Sequence, residues 1–97
     1  MTIIKVPRKL RCGSRVYKLK MVDDLIIENG NVGEHRPHTG YIVIDKKTQN
    51  KTAVLLHEYL HAVDQNYLLN FDDNTIDRIS HGMAEFLQGM KIKLDWD

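Results

Sequence analysis

The sequence predicts an α+β domain: a small, mostly antiparallel sheet of three or four strands, followed by two packed helices. Three observations predict it. Up to about residue 46, β-forming residues come in short runs broken by turn residues. From about Thr48 onward, the apolar residues recur at helical spacing. The chain has 97 residues, enough for one modest core and too few for two. It shows neither an internal repeat nor a linker. One domain is therefore expected over 1–97, with a strand-rich part at 1–46 and two helices within 48–90.

The strands come first. Thr2–Val6 reads as a short strand stopped by Pro7, which has no N–H to give to a ladder. Arg11-Cys12-Gly13-Ser14 signals a turn. Arg15–Val22 alternates, with Tyr17, Leu19 and Met21 on one side and Val16, Lys18 and Lys20 on the other. Period two with one apolar set is the pattern of a strand with one buried face. Leu25–Glu28 reads as a further short strand, or as the end of the preceding one after a bend at Asp23-Asp24, and Asn29-Gly30-Asn31 as a tight turn. Val32–His38 is weakly patterned and open to a strand that enters a loop at Pro37; His35 and His38, flanking Pro37, are expected to be solvated. Gly40–Asp45 is a β-branched run between Gly40 and the Asp45-Lys46-Lys47 cluster, the strongest strand signal in the chain.

The helices follow. Ala53, Leu56, Leu60 and Val63 recur at i, i+3, i+7 and i+10, and Leu55, Tyr59 and Ala62 widen the stripe. Thr48 or Asn50 can cap this helix, which fades near Asn66. Asn70–Asn74 reads as an acidic loop. Asn74 or Thr75 can cap a second helix running to about Met90, with Ile76, Ile79, Met83, Phe86, Leu87 and Met90 on its buried face. Lys91–Asp97 is left as a frayed tail or a last short strand.

Composition narrows the function classes. Hydrophobic residues make up 42% of the chain and charged residues 28%, an ordinary globular balance. Fourteen basic residues against 13 acidic give a net charge of +1. That balance predicts no general attraction to nucleic acid or to an anionic membrane, and disfavours a DNA-binding regulator. No apolar run approaches the roughly 20 residues that span a bilayer. Cys12 is the single cysteine and cannot close an intrachain disulfide. The first residues, Met1 to Pro7, lack the apolar core of a signal peptide, so a cytoplasmic location is expected.

One constellation carries chemistry. His57-Glu58-Tyr59-Leu60-His61 fits H-E-x-x-H. Two histidines at i and i+4 sit one turn apart on the same helix face, where their imidazoles can converge on one zinc ion at about 2.0–2.1 Å each. Glu58 lies one residue round from His57, placed to reach a coordinated water and to take its proton. A catalytic site needs a third protein ligand and an open position. Asp77, His81 and Glu85 fall at i, i+4 and i+8 on the second helix and share a face. All three stand as candidates for the third ligand. Asp64 lies about 10 Å along the axis from His57, too far for chelation with the histidine pair. It is left as an outer partner of the site or a cap at the helix end. Tyr59 and Tyr67 are candidates to donate to a developing oxyanion, although such a ring more often packs.

The run Leu55-Leu56-His57-Glu58-Tyr59-Leu60-His61-Ala62-Val63-Asp64 resembles the active-site helix of small zinc-metallopeptidase-like proteins of phages and prophages. These are distant relatives of the ImmA/IrrE metallopeptidases in the gluzincin-like group. Gly33-Glu34-His35 and Tyr41–Asp45 resemble that family's β-region before the helix. The group commonly carries an acidic third ligand in a pattern like E-x-x-A-N-x-F/L. Here Asp77 falls on the acidic position, Ser80 on the alanine and His81 on the asparagine. The resemblance implies a minimal zincin-like fold, one zinc per chain, a peptide or protein substrate, and a strand near Gly40–Asp45 that pairs with it as a sheet edge. It also implies action in the cytoplasm of a bacterial host. The expected function is thus zinc-dependent peptide hydrolysis. A metal-binding phage regulatory or interaction module without peptidase activity is the alternative.

Overall fold

A computed structural model describes residues 1–23 and 32–97. Its element order is β1 (Thr2–Lys5), β2 (Lys9–Cys12), β3 (Arg15–Val22), β4 (Gly33–Arg36), β5 (Tyr41–Asp45), α1 (Lys51–Tyr67), α2 (Asp73–Gly89) and β6 (Ile92–Asp95). The architecture is α+β, as the sequence predicts. The expected strand Leu25–Glu28 and the turn Asn29–Asn31 lie outside the described residues.

Four strands form the main sheet in the order β2-β3-β5-β4. β2 pairs antiparallel with β3, and β4 antiparallel with β5, while the central pair β3 and β5 is parallel. The chain ends make a second, two-stranded sheet in which β1 runs parallel to β6, so the C-terminal segment is a strand and not a frayed tail. β2 replaces part of the turn expected at Arg11–Ser14. Only Gly13 and Ser14 turn. Gly13 adopts φ +62°, and Leu10 and Cys12 face the core opposite Tyr17 and Arg15. With only four residues, β2 is too short to announce a period in sequence.

Alternation in β3 sends Tyr17, Leu19 and Met21 inward, where they meet Ile42 and Ile44 of β5 and Leu55 and Ala62 of α1. Tyr17 is almost fully buried, and its hydroxyl accepts a hydrogen bond from Asn66 Nδ2 at 2.9 Å. The same nitrogen donates to the Ala62 carbonyl at 2.7 Å, which ties the end of α1 to the sheet. Asn50 caps α1, its side chain accepting from the Ala53 N–H at 3.3 Å. The deepest line of α1 is Leu55, Glu58 and Ala62, rotated from the expected centre at Leu56 and Leu60, which are half-buried.

The second helix starts earlier than expected. Asp72, and not Asn74 or Thr75, is the cap, accepting from the Thr75 N–H at 2.7 Å. Its predicted apolar face also needs correction. Ile76 is buried and Ile79 and Leu87 are half-buried, but Met83, Phe86 and Met90 are exposed. Ser80 takes the inward position one turn beyond Ile76, its hydroxyl donating to the Asp77 carbonyl at 2.8 Å. A hydroxyl satisfied by its own helix enters the interior without leaving an orphaned polar group. Among the described residues, no helix is long and apolar enough to cross a membrane.

Candidate metal centre

α1 lies against the helix-facing side of the sheet, with β4 at the sheet edge beside it. Gly33 makes that approach possible. A Cβ there would stand 2.6 Å from Val54 Cγ1 and 3.2 Å from Glu58 Cγ. α2 packs against α1 after a short turn. The Asp64 carboxylate accepts the Phe71 N–H at 2.8 Å across this turn, and its carbonyl accepts the Leu69 N–H at 3.1 Å. Asp64 is therefore engaged in closing the end of α1.

The histidine pair meets at its Nε2 atoms, 3.2 Å apart, with ring centroids 4.9 Å apart. Two ligands held about 2.0–2.1 Å from a tetrahedral zinc stand about 3.3 Å from one another. The pair as it lies thus fits two corners of such a coordination sphere. Burial, then the charge of His61, holds the His57 imidazole below its ordinary range, against the opposing pull of Asp77 and Asp73. A neutral imidazole is the form that ligates.

Glu58 sits beneath β4 with its carboxyl largely withdrawn from solvent. Burial, then the nearby Glu34 carboxylate, pushes its pKa up to about 7, while a hydrogen bond from the His35 backbone N–H works the other way. Two open clefts of about 400 Å³ each share Gly33, His57 and Glu58. One continues past Asp77, Ser80 and His81, and the other past His35, His61 and Asp73. A larger cavity of about 520 Å³ lies elsewhere, between the start of α1, the end of α2 and β6, and no histidine, cysteine or carboxylate lines it.

Asp77 stands on the other side of the His57 ring. Asp77 Oδ1 lies 3.5 Å from His57, but at Nδ1, the ring nitrogen turned away from the pair. That is the position of a carboxylate that orients a ligating imidazole. Its other oxygen is 3.6 Å from His81 Nδ1, which also donates to the Asp77 carbonyl at 2.7 Å. Among the described residues, no hydrogen bond or ion pair joins Glu85, which is exposed, to the histidines. Asp73 places Oδ1 3.9 Å from His61 Nε2. Among the described residues, no three His, Cys, Asp or Glu side chains already stand together as a complete ligand set.

The tyrosines point elsewhere. The Tyr59 hydroxyl donates to the Arg11 carbonyl at 2.6 Å, and Tyr67 is exposed beside Gly13. Two residues outside the set predicted from the sequence line the site, and for one of them, His35, the sequence predicts a solvated place. His35 is in β4 and not in a loop, half-buried against Tyr17 at 5.2 Å between ring centroids. Its Nε2 is buried with no hydrogen-bond partner among the described residues. Asp73 belongs to the first turn of α2. Only the pairing of β4 with β5 could have singled out His35, since its own segment has little pattern. β5 itself is interior, so the substrate-pairing edge expected at Gly40–Asp45 is not available there; β4 is the edge beside Glu58. Comparison with protein-family models, curated proteins and solved structures finds no match for the chain.

Proposed function

We propose that the protein is a small zinc-dependent hydrolase, a metallopeptidase of the phage and prophage type it resembles, acting on a peptide or protein substrate. The observation that carries this proposal is the convergence of His57 and His61 Nε2 at 3.2 Å with buried Glu58 alongside. His57 and His61 would hold one zinc per chain, with Asp77 swinging from His57 Nδ1 to complete the set and His81, Asp73 or Glu85 as its competitors. Zinc bound there would supply a Lewis acid that polarises a carbonyl and acidifies water. Glu58 accepts a proton from the attacking water and hands it to the departing amine. A carboxyl near neutrality can do both. An extended substrate adds to the outer edge of β4, unpaired among the described residues, which runs it past Glu58. The lone, buried thiol of Cys12 accords with a reducing, cytoplasmic setting.

A metal-bearing binding module without hydrolysis is the alternative. The closeness of His81 to Asp77 favours it, because a site using both would leave no open position. Metal analysis of purified protein tests the centre. Wild type should carry about one zinc per chain, and His57→Ala should lose it. Asp77→Ala should lower occupancy more than Asp73→Ala or His81→Ala; full occupancy in Asp77→Ala would remove it as a ligand. Glu58→Gln should keep the metal and lose hydrolysis of a peptide library read by mass spectrometry. Equal turnover by Glu58→Gln would defeat the mechanism. A metal-loaded wild type that cleaves nothing would leave the binding module.

A further inference from the structure

The net charge of +1 conceals a steep division along the chain. Residues 1–47 hold ten lysines and arginines against five acidic residues, and residues 48–97 hold four against eight. The sheet gathers part of the basic excess on one surface. α1 covers the face that carries Leu10, Tyr17, Leu19, Ile42 and Ile44. The opposite face carries Lys9, Arg11, Lys18, Lys20 and Arg36, all exposed. Strand register sets Lys9 opposite Lys18, Lys18 beside Tyr41, and Tyr41 opposite Arg36. These four form one row across four strands, about 14 Å long at the usual interstrand spacing. Lys20 and Arg11 flank the row on its two sides.

This row stores repulsion. Like charges directly opposite one another destabilise a strand pair, and Lys9 and Lys18 stand so. Lys18 and Lys20 also bring their Nζ atoms to 5.9 and 6.0 Å from the same Tyr41 ring centroid. Of the five cations, only Arg36 has an ion-pair partner among the described residues, Glu34 at 2.9 Å. An anionic polymer laid along the row would relieve that repulsion at several points together.

We propose that this face binds a single-stranded nucleic acid, its phosphates following Lys9, Lys18 and Arg36 with Lys20 and Arg11 at the sides. The row crosses the middle of a sheet whose backbone groups are already paired, so the edge addition that captures an extended peptide is closed to it. A phosphodiester chain needs only the charges, and Tyr41 in the middle of the row offers a ring to an unpaired base. A duplex hides its bases from that ring. The net charge predicts no nucleic-acid partner; this proposal departs from that expectation on the uneven distribution of the charge. The face lies across the sheet from His57, so this proposal and the metal centre stand or fall separately.

Fluorescence anisotropy of the full chain with a labelled oligothymidine of about 15 nucleotides tests it. Binding should appear at about 50 mM salt and weaken toward about 200 mM, with a log–log slope of about −3, one phosphate for each of the four cations other than Arg36, which Glu34 already pairs. Lys18→Glu with Lys20→Glu should weaken binding at least about tenfold and flatten the slope, while Lys93→Glu and His57→Ala should bind as wild type. Should the double charge reversal fail to fold by thermal melting, Lys18→Gln with Lys20→Gln gives the same comparison. Three results would overturn the proposal: no binding by wild type at low salt, unchanged binding by the folded double variant, or equal binding of blunt duplex or polyglutamate.

Discussion

Glu58 is a carboxylate held under an edge strand, between Gly33 and the histidine pair. Its raised pKa has a consequence for the metal-free protein. An acid whose folded pKa, about 7, lies above its unfolded value of 4.5 favours folding most below that unfolded value. The contribution is lost as pH rises through about 7. Wild type should therefore fall in stability relative to Glu58→Gln between pH 5 and 8, by on the order of 2 kcal/mol. Urea midpoints in chelator check this. The depressed His57 and His35 act in the opposite sense, but both proteins share them, so they cancel. A difference that does not vary with pH would show that Glu58 is not buried as described. Gly33→Ala tests the other wall of the site. Its Cβ would meet Val54 Cγ1 at 2.6 Å, and overpacking of this kind costs about 1–3 kcal/mol. A thermal melt should show the loss, and Val54→Ala in the same chain should recover part of it. At this scale His57, Glu58 and His61 are legible, because their relation is set within one turn of helix. His35 and Asp73 are not, because their place depends on how β4 and α2 dock.

At the scale of the element, the helices and the longer strands announce themselves. β3 runs over Arg15–Val22, the limits its alternation marks. α1 and α2 follow from apolar spacing, and Asn50 is one of the two caps that the sequence offers. What spacing does not fix is which side of an amphipathic helix turns inward when apolar residues cover much of its circumference. α2 turns Ile76 and Ser80 inward and leaves Phe86 65% exposed. Ile76→Ala should then cost about 2–5 kcal/mol, and Phe86→Ser should stay within about 0.5 kcal/mol of wild type. Chemical denaturation of the two variants decides it; the reverse order would restore the face read from the sequence. β2 escapes notice for the opposite reason, since four residues ending in a glycine turn look like a turn alone.

The fold joins its two ends through β1 and β6 and, among the described residues, sets α1 on one face of the main sheet with α2 packed against α1. Ligand binding to the folded state alone raises stability by mass action. Zinc at about 100 times its dissociation constant should add about 2.7 kcal/mol, a rise in Tm on the order of 10 °C for a domain of this size. Differential scanning calorimetry with and without chelator measures it, and His61→Ala should abolish the shift. A wild type whose Tm ignores zinc would remove the metal from the account of this fold.

The sequence by itself determined the α+β class, the helical segment that presents two imidazoles on one face, and the acid between them, because each is written in periods of two to four residues. The tertiary structure alone decided that β4 and not β5 lies at an edge of the described sheet, that Asp77 approaches His57 at Nδ1, and that cations from three strands share one row. Those outcomes depend on strand order and docking. Contacts between residues far apart in the chain set both, and no local period encodes them.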